Sequence, residues 1–390
     1  MQNSSNGYQY KAKACHLTSV HPPFDTRIFY KECRTLAQAG YEVVLVAPHD
    51  RDEVVDGVRI KAVPKPGSRR ERMTKTVWQV YRVAVAEDAQ VYHFHDPELI
   101  PVGVMLKLKG KKVVYDVHED VPKQILTKPW IPSFLRRIVA KCASLFENIG
   151  SRFFDGVVAA TPTIVGHFPG GKSVVVQNFP LLNELVVPDA IPYSHRPANI
   201  AYVGGISTIR GIREMVKAME LLPEKLGARL YLAGAFSPVE LYNDICRMPG
   251  WEKVEFLGWQ TREEVGALLG HARMGLVLLH PTPNYYDALP VKLFEYMSAG
   301  IPVVVSDFPL WRQIVEGAGC GLVANPLDPP AIADAIEWLL THPEEAEAMG
   351  KRGQEAVRNF YNWDNEAGKL LVLYKETLSG ENRGDVNEPI

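Results

Sequence analysis

This 390-residue chain lacks the marks of several protein classes. Its five cysteines, Cys15, Cys33, Cys142, Cys246 and Cys320, are far apart and include no C-x-x-C pair. That excludes a disulfide framework, and it makes reduced thiols in a cytoplasmic setting the expectation. No apolar run is long enough to cross a bilayer, and the polar start MQNSSNGYQY carries no secretory-leader pattern. Neither sign of charge dominates, the formal net charge being −2, so nucleic acid is not an expected partner. The first strand-to-helix loop has no G-x-G-x-x-G, and a standard dinucleotide site is not supported there.

What is present is a globular composition, 46% hydrophobic and 23% charged, in a chain long enough for two domains. Residues 1–190 carry 25 basic against 19 acidic side chains, and residues 191–390 carry 18 against 26. A basic first half hints at an anionic partner such as a membrane surface, although unequal halves are ordinary in two-domain proteins.

Short apolar runs alternate with amphipathic stretches. Strands are predicted at Lys13–Ser19, Glu42–Ala47 and Val58–Val63, from Val91 to a helix cap at Asp96, and at Lys112–Asp116, Asp155–Ala160 and Ser173–Gln177. A second set is predicted at Asn199–Val203, Arg229–Ala233, Val254–Leu257, Met274–Leu279, Pro302–Ser306 and Cys320–Ala324. Helices fall between them, including Arg27–Ala39, Met73–Val85, Pro330–Leu340, Pro343–Asn359 and a last one to about Leu378. Strand–helix alternation implies parallel sheets in two Rossmann-like α/β domains. The expected layout is an N-terminal domain over 1–182, a linker over 183–197 and a C-terminal domain over 198–360. A helix over 361–379 and a loose tail over 380–390 follow.

Two Gly- or Pro-marked turns read as anion sites. Asn284 to Gly300 follows an apolar strand, and Pro290 suits the first turn of a helix that Gly300 ends. A helix start there aims free N–H groups and a positive dipole end at a ligand such as a diphosphate. Lys292 adds a cation, and Asp287 and Glu295 flank the turn. Gly204-Gly205-Ile206-Ser207-Thr208-Ile209-Arg210-Gly211 forms a second strand–turn–helix cradle. In the first half, His95 and His118 fall at carboxyl ends of consecutive strands, where open α/β sheets bind ligands. His21, Asp25 and Arg27 lie in the Pro-stiffened loop H-P-P-F-D-T-R, and Asp25 equally suits a helix cap. Trp259, after Gly258, reads as a stacking platform or, more simply, a packing residue.

The segment Asp287 to Val305 resembles the C-terminal signature of retaining glycosyltransferases of family 4, in which two acids bracket a turn before E-A/Y-M-A-A-G-x-P-V-V. Here the acids are Asp287, in place of the usual Glu, and Glu295, within F-E-Y-M-S-A-G-I-P-V-V-V. Ala288-Leu289-Pro290 replaces the usual G-F-G, Gly205 stands where the family has Arg, and Arg210 where it has Lys.

The resemblance implies the GT-B fold, two Rossmann-like domains with parallel sheets facing a cleft. It implies sugar transfer with retention from a nucleotide sugar, UDP by default, to a glycan or polyprenyl-linked acceptor in exopolysaccharide or lipopolysaccharide synthesis. Donor contacts would come from Gly204, Gly205, Arg210, Trp259, Leu289, Val291, Lys292 and Glu295, with His118 and Asp287 orienting the donor sugar. Acceptor-side candidates are His21, Asp25, Arg27 and His95. No cofactor and no metal ion are expected for this fold. A nucleotide-sugar 2-epimerase and a non-catalytic binder share it. A metal-dependent hydrolase using His93, His95 and His118 is the rival reading, since H-x-H places two imidazoles on one face of a strand.

Within Pro129 to Ile149, Pro132 and Ser133 open a helix with Phe134, Leu135, Ile138, Val139, Cys142, Leu145, Phe146 and Ile149 on one stripe and Arg136, Arg137 and Lys141 off it. Taken alone, the pattern favours a helix packed on the sheet. With the other basic clusters it also suits a peripheral contact with the inner face of an anionic membrane.

Overall fold

The computed structural model describes residues 11–128, 131–182, 184–185 and 191–380. The expected loose start, Pro129, much of the linker and the tail beyond Gly380 lie outside the described residues. The chain divides into two compact units. One comprises the residues up to Asn178 and those from Asn365, and the other Phe179–Asp364.

The first unit is built on eight strands: β1 Lys13–Leu17, β2 Glu42–Pro48, β3 Glu53–Val55, β4 Val58–Val63, β5 Val91–Phe94, β6 Lys112–Val117, β7 Gly156–Ala159 and β8 Ser173–Val175. Their order is β3-β4-β2-β1-β5-β6-β7-β8. All neighbours are parallel except β3, which pairs antiparallel with β4 across the turn Asp56-Gly57. The sequence reading did not foresee β3. Only its three residues and two left-handed turn positions announce it. The central strands β1, β2 and β5 are buried on both faces, as apolar runs without alternation require. Strand order reverses between β1 and β5, which places a ligand crevice at their carboxyl ends. The helix predicted from Arg27 instead opens with a widened, π-type segment, Thr26–Cys33. Asp25 caps it, accepting from the N–H groups of Arg27 and Ile28.

The last helix, Trp363–Ser379, packs within this unit from Asn365 onward. Leu373 lies against Gly156, where a Cβ would meet its Cδ1 at 2.9 Å. Buried Tyr374 reaches His16 and His93, both at 3.0 Å.

The helix Ser133–Phe153 differs from its packed reading. The residues it buries are Ala140, Glu147, Gly150 and Ser151. The apolar stripe faces solvent instead: Phe134 is 76% exposed and Leu145 62%, and Ile138, Phe146, Ile149 and Phe153 are also exposed. Close approach decides this. Gly150 lies against Ile100, where a Cβ would meet Cγ2 at 2.7 Å, so the small-residue face is the one that seats. Among the described residues, no helix is long and apolar enough to cross a membrane.

The second unit has six parallel strands: β9 Asn199–Val203, β10 Arg229–Ala233, β11 Val254–Gly258, β12 Met274–Val277, β13 Val303–Ser306 and β14 Gly321–Ala324. Their order is β11-β10-β9-β12-β13-β14, with the reversal between β9 and β12. β12 is shorter than predicted because the Ser306 hydroxyl takes over at Leu279, accepting from its N–H at 2.7 Å and donating to its carbonyl at 2.8 Å. The helix Val291–Ser298 packs on β12 through Tyr296, whose ring lies against Gly275. The Tyr296 hydroxyl accepts from the Val203 N–H at 2.8 Å, tying this helix to β9. A Cβ at Gly275 would sit 2.2 Å from that ring. Gly275→Ala is therefore expected to lower stability by about 2–3 kcal/mol, read as a lower urea midpoint with an unchanged slope.

Candidate active site

In the second unit, two turns meet at the carboxyl ends of β9 and β12. Pro290 has extended geometry (φ −70°, ψ 123°) and stands just before the helix rather than in its first turn, so Val291 is the first helical residue. The Trp311 indole donates to the Ala288 carbonyl at 2.7 Å and so holds the preceding turn in place. Lys292, in the first turn, folds back over the Tyr202 ring, 3.7 Å from its centroid. Its ammonium is sealed from solvent and has no hydrogen-bond partner. Gly204 has φ +120°, and a Cβ there would sit 3.2 Å from Lys292 Nζ, so glycine keeps the space beside the cation open. Arg210 Nη1 lies beside Gly205, 3.4 Å from its carbonyl. Burial, then repulsion from Arg210, pushes the Lys292 pKa down to about 7, with Glu295 acting in the opposite direction. The ring face offsets part of the cost of an unpaired buried ammonium. An anion bound beside Lys292 and Arg210 would offset the rest.

Glu295 is buried, and its Oε1 accepts from Arg262 Nη1 at 2.8 Å. Arg262 Nε in turn donates to Glu184 Oε1 at 2.9 Å. Sequence reasoning missed Arg262, whose one signal was its place just after the Trp259 turn. Asp287, Leu289 and Val291 are half-buried around the same turn. Trp259 is 74% exposed, which removes its packing reading. It follows left-handed Gly258 at the end of edge strand β11 and is turned outward.

The first unit gathers its candidates at the ends of β1, β5 and β6. Asp96 Oδ2 accepts from the Thr18 hydroxyl at 2.8 Å and the Ser19 N–H at 2.6 Å, which fixes the loop that carries His21. His21 Nδ1 lies 3.4 Å from Asp25 and its Nε2 3.5 Å from Asp96. Burial opposes protonation of His21, but the Asp25 hydrogen bond and the Asp96 charge win and raise its pKa. Arg27 is buried, its fork closed on Asp116 through Nε–Oδ2 at 2.9 Å and Nη2–Oδ1 at 2.8 Å. Burial alone would raise the Asp116 pKa, but Arg27 and His118 hold it well below the usual carboxylate range. His118 Nε2 lies 2.7 Å from Asp116 Oδ2, and that carboxylate orients the ring. His95 Nδ1 is 3.1 Å from the same oxygen, and burial lowers the His95 pKa to about 4. Arg27 and His95 thus sit beneath His118 and His21.

Behind them lies a feature that corrects the expectation of no metal ion. Glu32, His93, His95 and Asp116 are all buried, and one ligand atom from each falls within 4.8 Å of the others. That donor set is able to hold a metal ion. In the sequence Glu32 carries no signal of its own, because it sits in the middle of an amphipathic stretch with no motif around it.

Residues 188–356 match the family model "Glycosyl transferases group 1", and residues 26–171 match "Glycosyltransferase Family 4". A glycosyltransferase of Methanocaldococcus jannaschii is 28% identical over 177 residues, 45% of this chain and 44% of that protein. The chain thus spans under half the length of some of the curated relatives it matches. The phosphatidyl-myo-inositol mannosyltransferase of Mycobacterium leprae is 24% identical over 89% of this chain and 91% of its own. Among solved structures, the Anabaena protein HepE, in complex with UDP and glucose, superposes with a TM-score of 0.71 at 15% identity, covering 95% of this chain and all of that one. The likeness to solved structures shows the fold, which is the GT-B fold of two Rossmann-like α/β units with parallel sheets. The two halves of the chain match these two family models separately, and neither match covers half of the chain.

Proposed function

We propose that this protein transfers a glycosyl group, with retention, from a nucleotide sugar to a glycan or lipid-linked saccharide. The observation that carries the reading is the sealed, unpaired ammonium of Lys292 beside the Gly204–Gly205 turn and Arg210, at the start of a helix. A diphosphate there meets two cations and the helix dipole, and the same groups stabilise the negative charge that develops as it leaves. UDP is the first choice of carrier, in keeping with the UDP bound by the structurally similar HepE. Glu295, with Oε1 held by Arg262, offers its other oxygen to the ribose hydroxyls. Asp287 is assigned to the donor sugar. His118, oriented by Asp116, is the first-unit group assigned to the reaction. His21 and Asp25 are assigned to the acceptor side, with buried Arg27 and His95 positioning Asp116. We assign the exposed apolar face of Ser133–Phe153, flanked by Arg137, Lys141 and Arg152, to an anionic membrane surface that carries the acceptor.

Thermal denaturation with UDP, GDP and their sugars tests the donor assignment, because a ligand of the native state raises the melting temperature. UDP is expected to stabilise the protein by several degrees. Glu295→Gln is expected to weaken UDP binding about tenfold while sparing inorganic pyrophosphate, since the carboxylate serves the ribose. A crystal with UDP lodged away from Lys292 would overturn the assignment.

A further inference from the structure

We propose that Glu32, His93, His95 and Asp116 form a binding site for a divalent transition-metal ion of the zinc class. This inference is independent of the donor assignment. Its first support is a pair of orphaned polar groups. Neither Glu32 oxygen has a hydrogen-bond partner, nor does His93 Nε2, and these groups face one another at 3.9 Å in the interior. Arg27 Nε forms an ion pair with Glu32 Oε1 at 3.1 Å, while its hydrogen bond goes to Asp116, so Glu32 has a charge partner but no hydrogen bond. Buried polar atoms are rarely left without partners, and a shared ion would serve all three.

The second support is how the imidazoles are held. A metal-ligating histidine characteristically uses its other ring nitrogen in a hydrogen bond that fixes tautomer and orientation. His93 has Nδ1 at 3.0 Å from the Tyr374 hydroxyl, which leaves Nε2 for an ion. His95 has Nε2 at 3.0 Å from His16 Nδ1, which leaves Nδ1, on the side of Asp116. Tyr374 also touches His16, so the second layer closes on itself.

Two imidazoles and two carboxylates suit zinc and its neighbours better than magnesium or calcium, which take oxygen ligands. Tetrahedral ligands with bonds of about 2.0 Å lie ~3.3 Å apart. The widest separation here is 4.8 Å, so the set must draw in on binding. Glu32, which has no hydrogen bond to give up, is the residue to move, at the expense of its Arg27 ion pair. Asp116 can keep Arg27 on Oδ1 while Oδ2 turns to the ion. That oxygen is the one His118 now uses, so ion binding would compete directly with the contact that orients His118. The ion would also pin the helix Trp363–Ser379 to β1 and β5 through Tyr374.

The test uses the full chain without a histidine tag, its exposed thiols alkylated, incubated with excess zinc and desalted. Elemental analysis is expected to find about one zinc per chain, and the melting temperature to rise by roughly 5 °C. Cobalt in place of zinc is expected to give the visible bands of a low-coordinate nitrogen and oxygen site. Glu32→Gln and His93→Gln are each expected to abolish stoichiometric binding. Sub-stoichiometric zinc with an unchanged melting temperature in the wild type would overturn the proposal, as would full occupancy in a folded His93→Gln variant. If a variant does not fold, the wild-type stoichiometry and melting shift decide.

Discussion

Lys292→Ala is expected to weaken nucleotide-sugar binding roughly 10- to 100-fold at pH 7, the loss of a charge-assisted contact to phosphate. Calorimetry or a competition assay reads it directly. A distinct pH profile should accompany the loss. The free protein holds Lys292 at a pKa of about 7, through burial and then the Arg210 charge. A bound diphosphate favours the protonated form, so binding takes up a proton once the free lysine has lost its own. Affinity should be level below about pH 7 and fall by up to tenfold per unit above it, and Lys292→Ala should flatten the profile. Stability should move in the opposite sense. The folded pKa lies below the unfolded value near 10.5, so the buried charge costs stability below pH 7 and the cost fades as pH rises toward 10.5. Lys292→Met should thus be more stable than wild type by on the order of 5 kcal/mol at pH 6, the advantage shrinking toward pH 10.5. Unchanged affinity in Lys292→Ala, with a pH profile like that of the wild type, would remove this lysine from the donor site.

Replacing Phe134, Leu145 and Phe146 together with serine is expected to reduce binding to phosphatidylglycerol-containing vesicles more than about tenfold. The melting temperature should hardly change, because these side chains are exposed and add nothing to the core. Raising salt should weaken the wild type through Arg137, Lys141 and Arg152, and vesicles of neutral lipid should bind it less. A wild-type protein that ignores anionic vesicles would dispose of the membrane assignment. The helix would then need a protein partner for its apolar face.

Much of the architecture was legible because parallel strands buried on both faces announce themselves as apolar runs. β2, β4, β9 and β10 fall within a residue or so of their predicted places. The antiparallel β3 escaped because three residues carry no period. The widened turn at Thr26–Cys33 escaped because its residues do not differ from those of an ordinary helix. At the site, Lys292, Arg210 and the paired glycines were visible as a cation-bearing turn. Arg262 and Glu32 were not, since each acts through a partner distant in the chain: Glu295 for one, His93 and Asp116 for the other.

The amino-acid sequence by itself determined the parallel α/β rhythm, the Gly- and Pro-marked turns and the position of the helix that follows Pro290. These depend on local periodicity and backbone preferences, which neighbouring residues suffice to set. Tertiary structure alone decided three matters. It left the Lys292 ammonium without a hydrogen-bond partner over Tyr202, and it drew Glu32 in among His93 of β5, His95 just beyond it and Asp116 of β6. It also turned the apolar stripe of Ser133–Phe153 outward by seating Gly150 on Ile100. Each depends on which surfaces approach closely enough to touch, and that depends on side chains far apart along the chain.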